Sequence, residues 1–155
     1  MPRFSSASSH QYFQPKLKPF KLIKYLENPN PQGIAQSDAF GSSVAVSSDY
    51  IVVGAPGEQD ALGVPSQGIV YIYDSTGEYV RTILNPNPVA PLNAGDGDLF
   101  GTSVAVNSEY VIVGAPGEND ATDNNGKAYV FDITNGSLVY TFNDPNPNTT
   151  EVSPN

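Results

Sequence analysis

Oxygen-bearing side chains crowd into one stretch of this chain, Glu118-Asn119-Asp120-Ala121-Thr122-Asp123-Asn124-Asn125-Gly126. Carboxylate and amide oxygens at such close spacing are what a calcium ion takes, six to eight at a time. The counterpart stretch, Glu58 to Gly68, starts alike with Glu58 and Asp60 but continues through Leu62, Val64 and Pro65. Because the counterpart loses its donors, a solvated loop is the favoured reading of both, and calcium is only weakly supported. Asp96-Gly97-Asp98 is too short for a cage and reads as a connector turn before Phe100. Asp74 and Asp132 stand at turn starts, where a short carboxylate accepts from nearby backbone amides.

Other chemistries find little to work with. The chain has no cysteine, which excludes disulfides and the usual Cys-containing zinc sites. Its single histidine, His10, lies in a polar N-terminal stretch, so Ser-His-Asp catalysis has no base in a folded region. No nucleophile–base pair or phosphate loop is present, and a non-enzymatic role with no cofactor is expected. The net charge is -9, and it is segregated. Arg3, Lys16, Lys18, Lys21 and Lys24 precede every acidic residue, and only Arg81 and Lys127 follow them as basic residues. An acidic body repels a phosphate backbone, so nucleic-acid binding by it is not expected. No apolar run reaches the roughly 18–20 residues of a membrane span. The first residues, MPRFSSASSHQYFQPKLKPF, lack the apolar core of a secretory signal.

The elements that position these residues come from a repeat. FGSSVAVSSDYIVVGAP (40–56) returns as FGTSVAVNSEYVIVGAP (100–116), and GIVYIYDSTGEYVRTILNPNP (68–88) as GKAYVFDITNGSLVYTFNDPNP (126–147). FKLIKYLENPNP (20–31) matches the end of a unit, and Asp144-Pro145-Asn146-Pro147 opens the connector once more. Alternating turn signals and short β-rich runs divide each unit into four strands. In the first unit these are 43–46, 50–55, 69–73 and 79–84. In the second they are 103–106, 110–115, 128–131 and 137–142. The inner strands are apolar on both faces, as in Val44-Ala45-Val46 and Ile51-Val52-Val53, whereas a sheet with one wet face alternates. Sheets buried on both faces stack as the blades of a β-propeller.

Phe40-Gly41 with Gly54-Ala55-Pro56, repeated as Phe100-Gly101 with Gly114-Ala115-Pro116, is similar to the FG-GAP repeat of integrin α-subunit propellers and of related bacterial and viral proteins. The resemblance covers 40–147 and implies propeller blades in a binding or adhesive domain. It implies structural roles for these ten residues: Phe as a wedge between blades, Gly where backbones approach, Pro to end the second strand. Integrin-type repeats often carry a calcium loop between the two halves of the motif. Here that interval holds only the single acids Asp49 and Glu109, so the metal site is not carried over.

The expected organisation is a basic, Pro/Ser-rich arm (1–19) and an all-β propeller segment (20–155). The latter comprises an extra outer strand and connector (20–39), blade 1 (40–99), blade 2 (100–147) and the start of a further connector (148–155). Each blade leaves a flat apolar face on the order of 300 Å². At about 25 cal/mol/Å² its burial is worth several kcal/mol, so further blades are expected, from a longer chain or from copies in a ring. The functional expectation is a structural, adhesive protein of a phage virion, such as a tail fibre or attachment protein, in which residues 1–19 dock on a neighbouring subunit. Virion proteins leave the cell by lysis and need no export signal. The alternative is a bacterial surface or exported adhesin for a glycan or protein.

Overall fold

The computed structural model describes residues 21–30, 38–59, 66–88, 97–118 and 126–145. The expectations for the arm 1–19, for loop positions 119–125 and for the last connector beyond 145 lie outside the described residues. Blade 1 runs β1 (Ser43–Val46), β2 (Tyr50–Ala55), β3 (Ile69–Asp74) and β4 (Tyr79–Leu84). Blade 2 runs β5 (Ser103–Val106), β6 (Tyr110–Ala115), β7 (Lys127–Asp132) and β8 (Leu138–Asn143). Each is a four-stranded antiparallel meander in sequence order.

Turn chemistry sets the strand ends. Ser47 N–H donates to Tyr50 O (2.9 Å) and Asn107 N–H to Tyr110 O (3.0 Å), closing the β1–β2 and β5–β6 hairpins. Asp74 Oδ1 accepts from the backbone of Thr76 (2.8 Å) and Glu78 (3.0 Å). Asp132 Oδ1 accepts from Thr134 (2.8 Å) and Asn135 (3.2 Å). The second turn is one residue longer and is closed by Asp132 N–H on Ser137 O (2.9 Å), so β8 starts at Leu138 and not at Ser137.

Register divides each blade into two faces. Ser43, Gly54, Val70 and Ile83 stand opposite one another on blade 1, and Val52 and Ile72 lie two residues further along on the same face. This face is dry. It meets Val111, Val113, Tyr129 and Phe131 of blade 2 in one core, with Phe100 fully buried in it. On the opposite face of blade 1, Val53, Tyr71 and Tyr73 form a second core with Phe40 and Leu26. Both faces of blade 1 are therefore apolar, the second packed around Tyr71 and Tyr73 but open at Val44 and Val46, and Tyr71 and Tyr129 are the largest fully buried side chains among the described residues.

One element differs from expectation. Residues 21–28 are not a strand. A strand needs a neighbour to complete its ladder, and none of the described residues lies alongside this segment as a strand. The segment nevertheless lies against blade 1 much as β4 lies against blade 2. Leu26 packs on the Tyr71–Tyr73 core as Ile83 packs on the Phe100–Tyr129 core. Lys24 lies beside Gly77 at one turn, and Arg81 lies beside Gly136 at the equivalent turn.

Candidate functional site

The repeated motif residues converge where one blade meets the next. Leu99 and Gly101 flank Phe100 in left-handed conformation (φ 54° and 90°), which folds the chain sharply and drives the Phe100 ring inward. The ring meets Tyr129 at 5.9 Å and 55°, and Phe131 edge-on at 5.9 Å and 90°. Behind it the backbone presses on blade 1. Leu99 N–H donates to Ser66 O (3.0 Å) and Phe100 N–H to Gln67 O (3.1 Å). Gly101 O accepts from Ser43 Oγ at 2.7 Å. A side chain on Gly54 would collide with Gly101 O and Ser43 Oγ, and one on Gly68 would collide with the backbone of Phe100. The Gly of the first Gly-Ala-Pro element, Gly54, is thus the floor on which the Phe-Gly turn of the following blade rests. Ala55 and Ala115 are buried beside it, and Pro56 and Pro116 follow directly on the last residues of β2 and β6.

A second cluster flanks each turn, built on buried acids. After Pro56 the chain turns through Glu58 N–H on Ala55 O (3.2 Å), and this turn directs the Glu58 carboxylate inward, where it is fully buried. It accepts from Tyr71 Oη (2.6 Å) and from Asn30 Nδ2 (3.2 Å), while Asn28 Nδ2 reaches Asp38 (3.2 Å). Blade 2 repeats the arrangement. Glu118 accepts from Tyr129 Oη (2.6 Å) and Asn87 Nδ2 (2.8 Å), and Asp98 from Asn85 Nδ2 (2.7 Å). The Asn-Pro-Asn-Pro connector supplies both amides. Each first Asn folds its own backbone by accepting from the second (Asn30 N–H to Asn28 Oδ1 and Asn87 N–H to Asn85 Oδ1, both 2.9 Å), and the Pro between them fixes φ.

The two clusters differ in charge. Lys127 Nζ lies 3.0 Å from Glu118, whereas the equivalent strand position in blade 1 is Ile69. Burial pushes the Glu58 carboxyl above the ordinary carboxylate range; its bond from Tyr71 opposes this and the nearby Asp38 adds to it. Burial, then the bond to Glu58, push the Tyr71 phenol strongly upward. The Tyr73 phenol is pushed up to about 12 by burial, then by Tyr79 and Glu58, and it donates to Glu27 O at 2.7 Å. Phenols held protonated next to carboxylates are clasps, with donors matched to acceptors.

These clusters correct the expectation for Glu58 and Glu118, whose carboxylates are not solvated but buried with amide partners; Asp98, in the connector before Phe100, is buried with one as well. The sequence carried a signal for this, since Gly-Glu follows both Gly-Ala-Pro elements and Asn-Pro-Asn-Pro recurs. A calcium cage does not fit between Phe-Gly and Gly-Ala-Pro. The only carboxylate in that interval of blade 1 is Asp49, whose Oδ2 accepts from Ser48 Oγ at 2.7 Å. Among the described residues no group of three acidic, His or Cys side chains could hold a metal, and no helix is long and apolar enough to cross a membrane.

The FG-GAP repeat model matches residues 31–73 and 89–131, more than half of the chain. The chain belongs to the FG-GAP repeat family. Both matches run from a connector through the Phe-Gly turn and Gly-Ala-Pro into the third strand, so they bracket the contacts just described. FG-GAP repeats build β-propellers that are often adhesive or structural, are typically non-catalytic, and occur in extracellular or surface proteins. No curated protein matches the chain.

Proposed function

We propose that this FG-GAP protein is a non-enzymatic scaffold of a phage virion, a tail fibre or attachment component. Residues 1–19 hold it to a neighbouring subunit, and its acidic blades face a host glycan or protein. The observation that carries this reading is the use made of the motif. Phe100, Gly101 and Gly54 are engaged in joining blade to blade, and the buried acids are engaged with amides and phenols. The chemistry of the repeat builds a rigid surface, and binding falls to what that surface displays. The segregation of basic charge into residues 1–24 supplies an attachment end distinct from the acidic body.

Removing residues 1–19 is expected to leave the blades folded, with an unchanged β-sheet circular dichroism spectrum, while abolishing incorporation into particles. Incorporation that persists without the arm overturns the docking role. Family occurrence in surface proteins favours the second reading, a bacterial surface adhesin. On that reading the protein fractionates with the cell envelope, and binding on a glycan array is undiminished by loss of the arm.

A further inference from the structure

The two ends of the described fold are complementary. At one end, blade 2 presents a cleft of about 420 Å³ lined by Ser103, Gly114, Gly126 and Phe142. The same positions in blade 1 are Ser43, Gly54, Gly68 and Ile83, and there the cleft is filled by Phe100 and Gly101. Gly114, unlike Gly54, has only Ser103 close to it among the described residues. At the other end, blade 1 presents a turn of the same shape as the one that fills the cleft. Ala39 and Gly41 have φ of 54° and 88°, against 54° and 90° at Leu99 and Gly101. Phe40 meets Tyr71 at 5.8 Å and 54°, as Phe100 meets Tyr129 at 5.9 Å and 55°. Yet among the described residues nothing lies within 4 Å of a side chain built on Gly41.

The surrounding faces match too. Val104 and Val106 pack on the core shared by the blades, while their equivalents Val44 and Val46 are 68% and 74% exposed. On blade 2, Ile112, Tyr140 and Phe142 are exposed where Val52, Arg81 and Ile83 meet the next blade. We propose that the open face of blade 2 receives blade 1 of a second copy of this chain, whose Phe40–Gly41 turn enters the Ser103–Gly114 cleft and whose residues 21–30 give way. The contact is heterologous, head to tail.

Residues 21–30 must move because β8 of the first copy takes the place they hold. Phe142 corresponds to Leu26 and Tyr140 to Lys24, by way of Ile83 and Arg81. Its first part is lightly held, with Ile23 94% exposed and the Lys24–Glu78 ion pair at the surface, whereas Leu26, Glu27, Asn28 and Asn30 bind blade 1 and must be exchanged for their counterparts. The incoming connector is also imperfect. Asp144 stands where Asn85 and Asn28 stand, and a carboxylate cannot donate to the second copy's Asp38 as Asn28 does. Residues 21–30 thus act as a cover in competition with docking.

Sedimentation of the full chain over a concentration series tests this. Val44→Lys and Ile112→Glu, both at exposed positions, are each expected to weaken association about tenfold or more, as a lone charge placed in an apolar contact does. Mixed together, the two variants present one pair of unmodified surfaces and are expected to associate as the wild type does, but only into dimers. Lys24→Glu/Leu26→Asp, at the far end from the cleft, loosens the cover and is expected to tighten association, as is Asp144→Asn. A merely sticky blade 2 face would not respond to Val44→Lys, which lies on blade 1. The proposal is overturned if wild type and this variant both remain monomeric throughout, if loosening the cover leaves association unchanged, or if association survives Ile112→Glu, which would assign it to another surface.

Discussion

Blade 1 and blade 2 share one register, but the same face is closed in the first and open in the second. Val52, Val70 and Ile72 are fully buried, whereas Ile112 and Phe142, on the matching face of blade 2, are 44% and 53% exposed. The acid clusters differ in the opposite sense: Glu118 has a cation within reach, and Glu58, among the described residues, has neutral partners and a second acid nearby. Together these differences separate what a blade achieves through its own strands from what it receives from a neighbour. The hairpins, the Phe-Gly turn and the buried glutamate form within one unit and its connector. Burial of the second face depends on the next unit.

Substitution at paired positions sharpens that division. Gly54→Val forces a side chain into the Gly101 backbone and is expected to cost about 3 kcal/mol or more, whereas Gly114→Val meets only the Ser103 side chain and is expected to cost nearer 1 kcal/mol. Urea denaturation checks both, and equal losses would mean that the floor glycine serves its own blade. Tyr71→Phe removes a donor to buried Glu58 and is expected to cost about 1–3 kcal/mol. Tyr129→Phe is expected to cost less, because Lys127 and Asn87 still hold Glu118.

Smaller effects follow pH. The Glu58 carboxyl binds its proton more tightly in the fold than in the unfolded chain, near 4.5. Stability is therefore expected to rise as pH falls from neutrality through the raised value toward 4.5, and Glu58→Gln is expected to flatten this part of the curve. Asp74 and Asp132 act in reverse. Their carboxyls are held below 3.8 by their threonine hydroxyls and by backbone amides, so their contribution is present above 3.8 and lost as pH falls through the lowered values. Thermal melts at several pH values test both signs. The smallest change is expected from Lys24→Ala, an exposed ion pair worth no more than about 1 kcal/mol in the same denaturation experiment.

The blades were legible in the sequence because their information is local and repeated. Short β-rich runs, Asp-led turns and the recurrence of 40–56 at 100–116 placed all eight strands to within about one residue. Phe100 and Gly54 were singled out through the resemblance to the FG-GAP repeat, and both stand at the joint between the blades. The burial of Glu58, Glu118 and Asp98 was not legible, since an acid after a turn reads as solvated unless its partners are known. Those partners, Asn30, Asn87 and Asn85, lie 28, 31 and 13 residues away along the chain. Residues 21–27 matched an outer strand in composition, but strand pairing requires a neighbour, and sequence similarity records only the position such a strand would hold.

The Ser43 hydroxyl on Gly101 O, beside the bare Gly54 surface, sets how closely the two sheets approach at their inner strands. Because the residues that make this joint recur unchanged in kind sixty positions on, every added unit would be rotated by the same angle about the same axis. The curvature of a longer array would follow from this repeated joint together with the core shared by adjacent blades, and not from the length of polypeptide available.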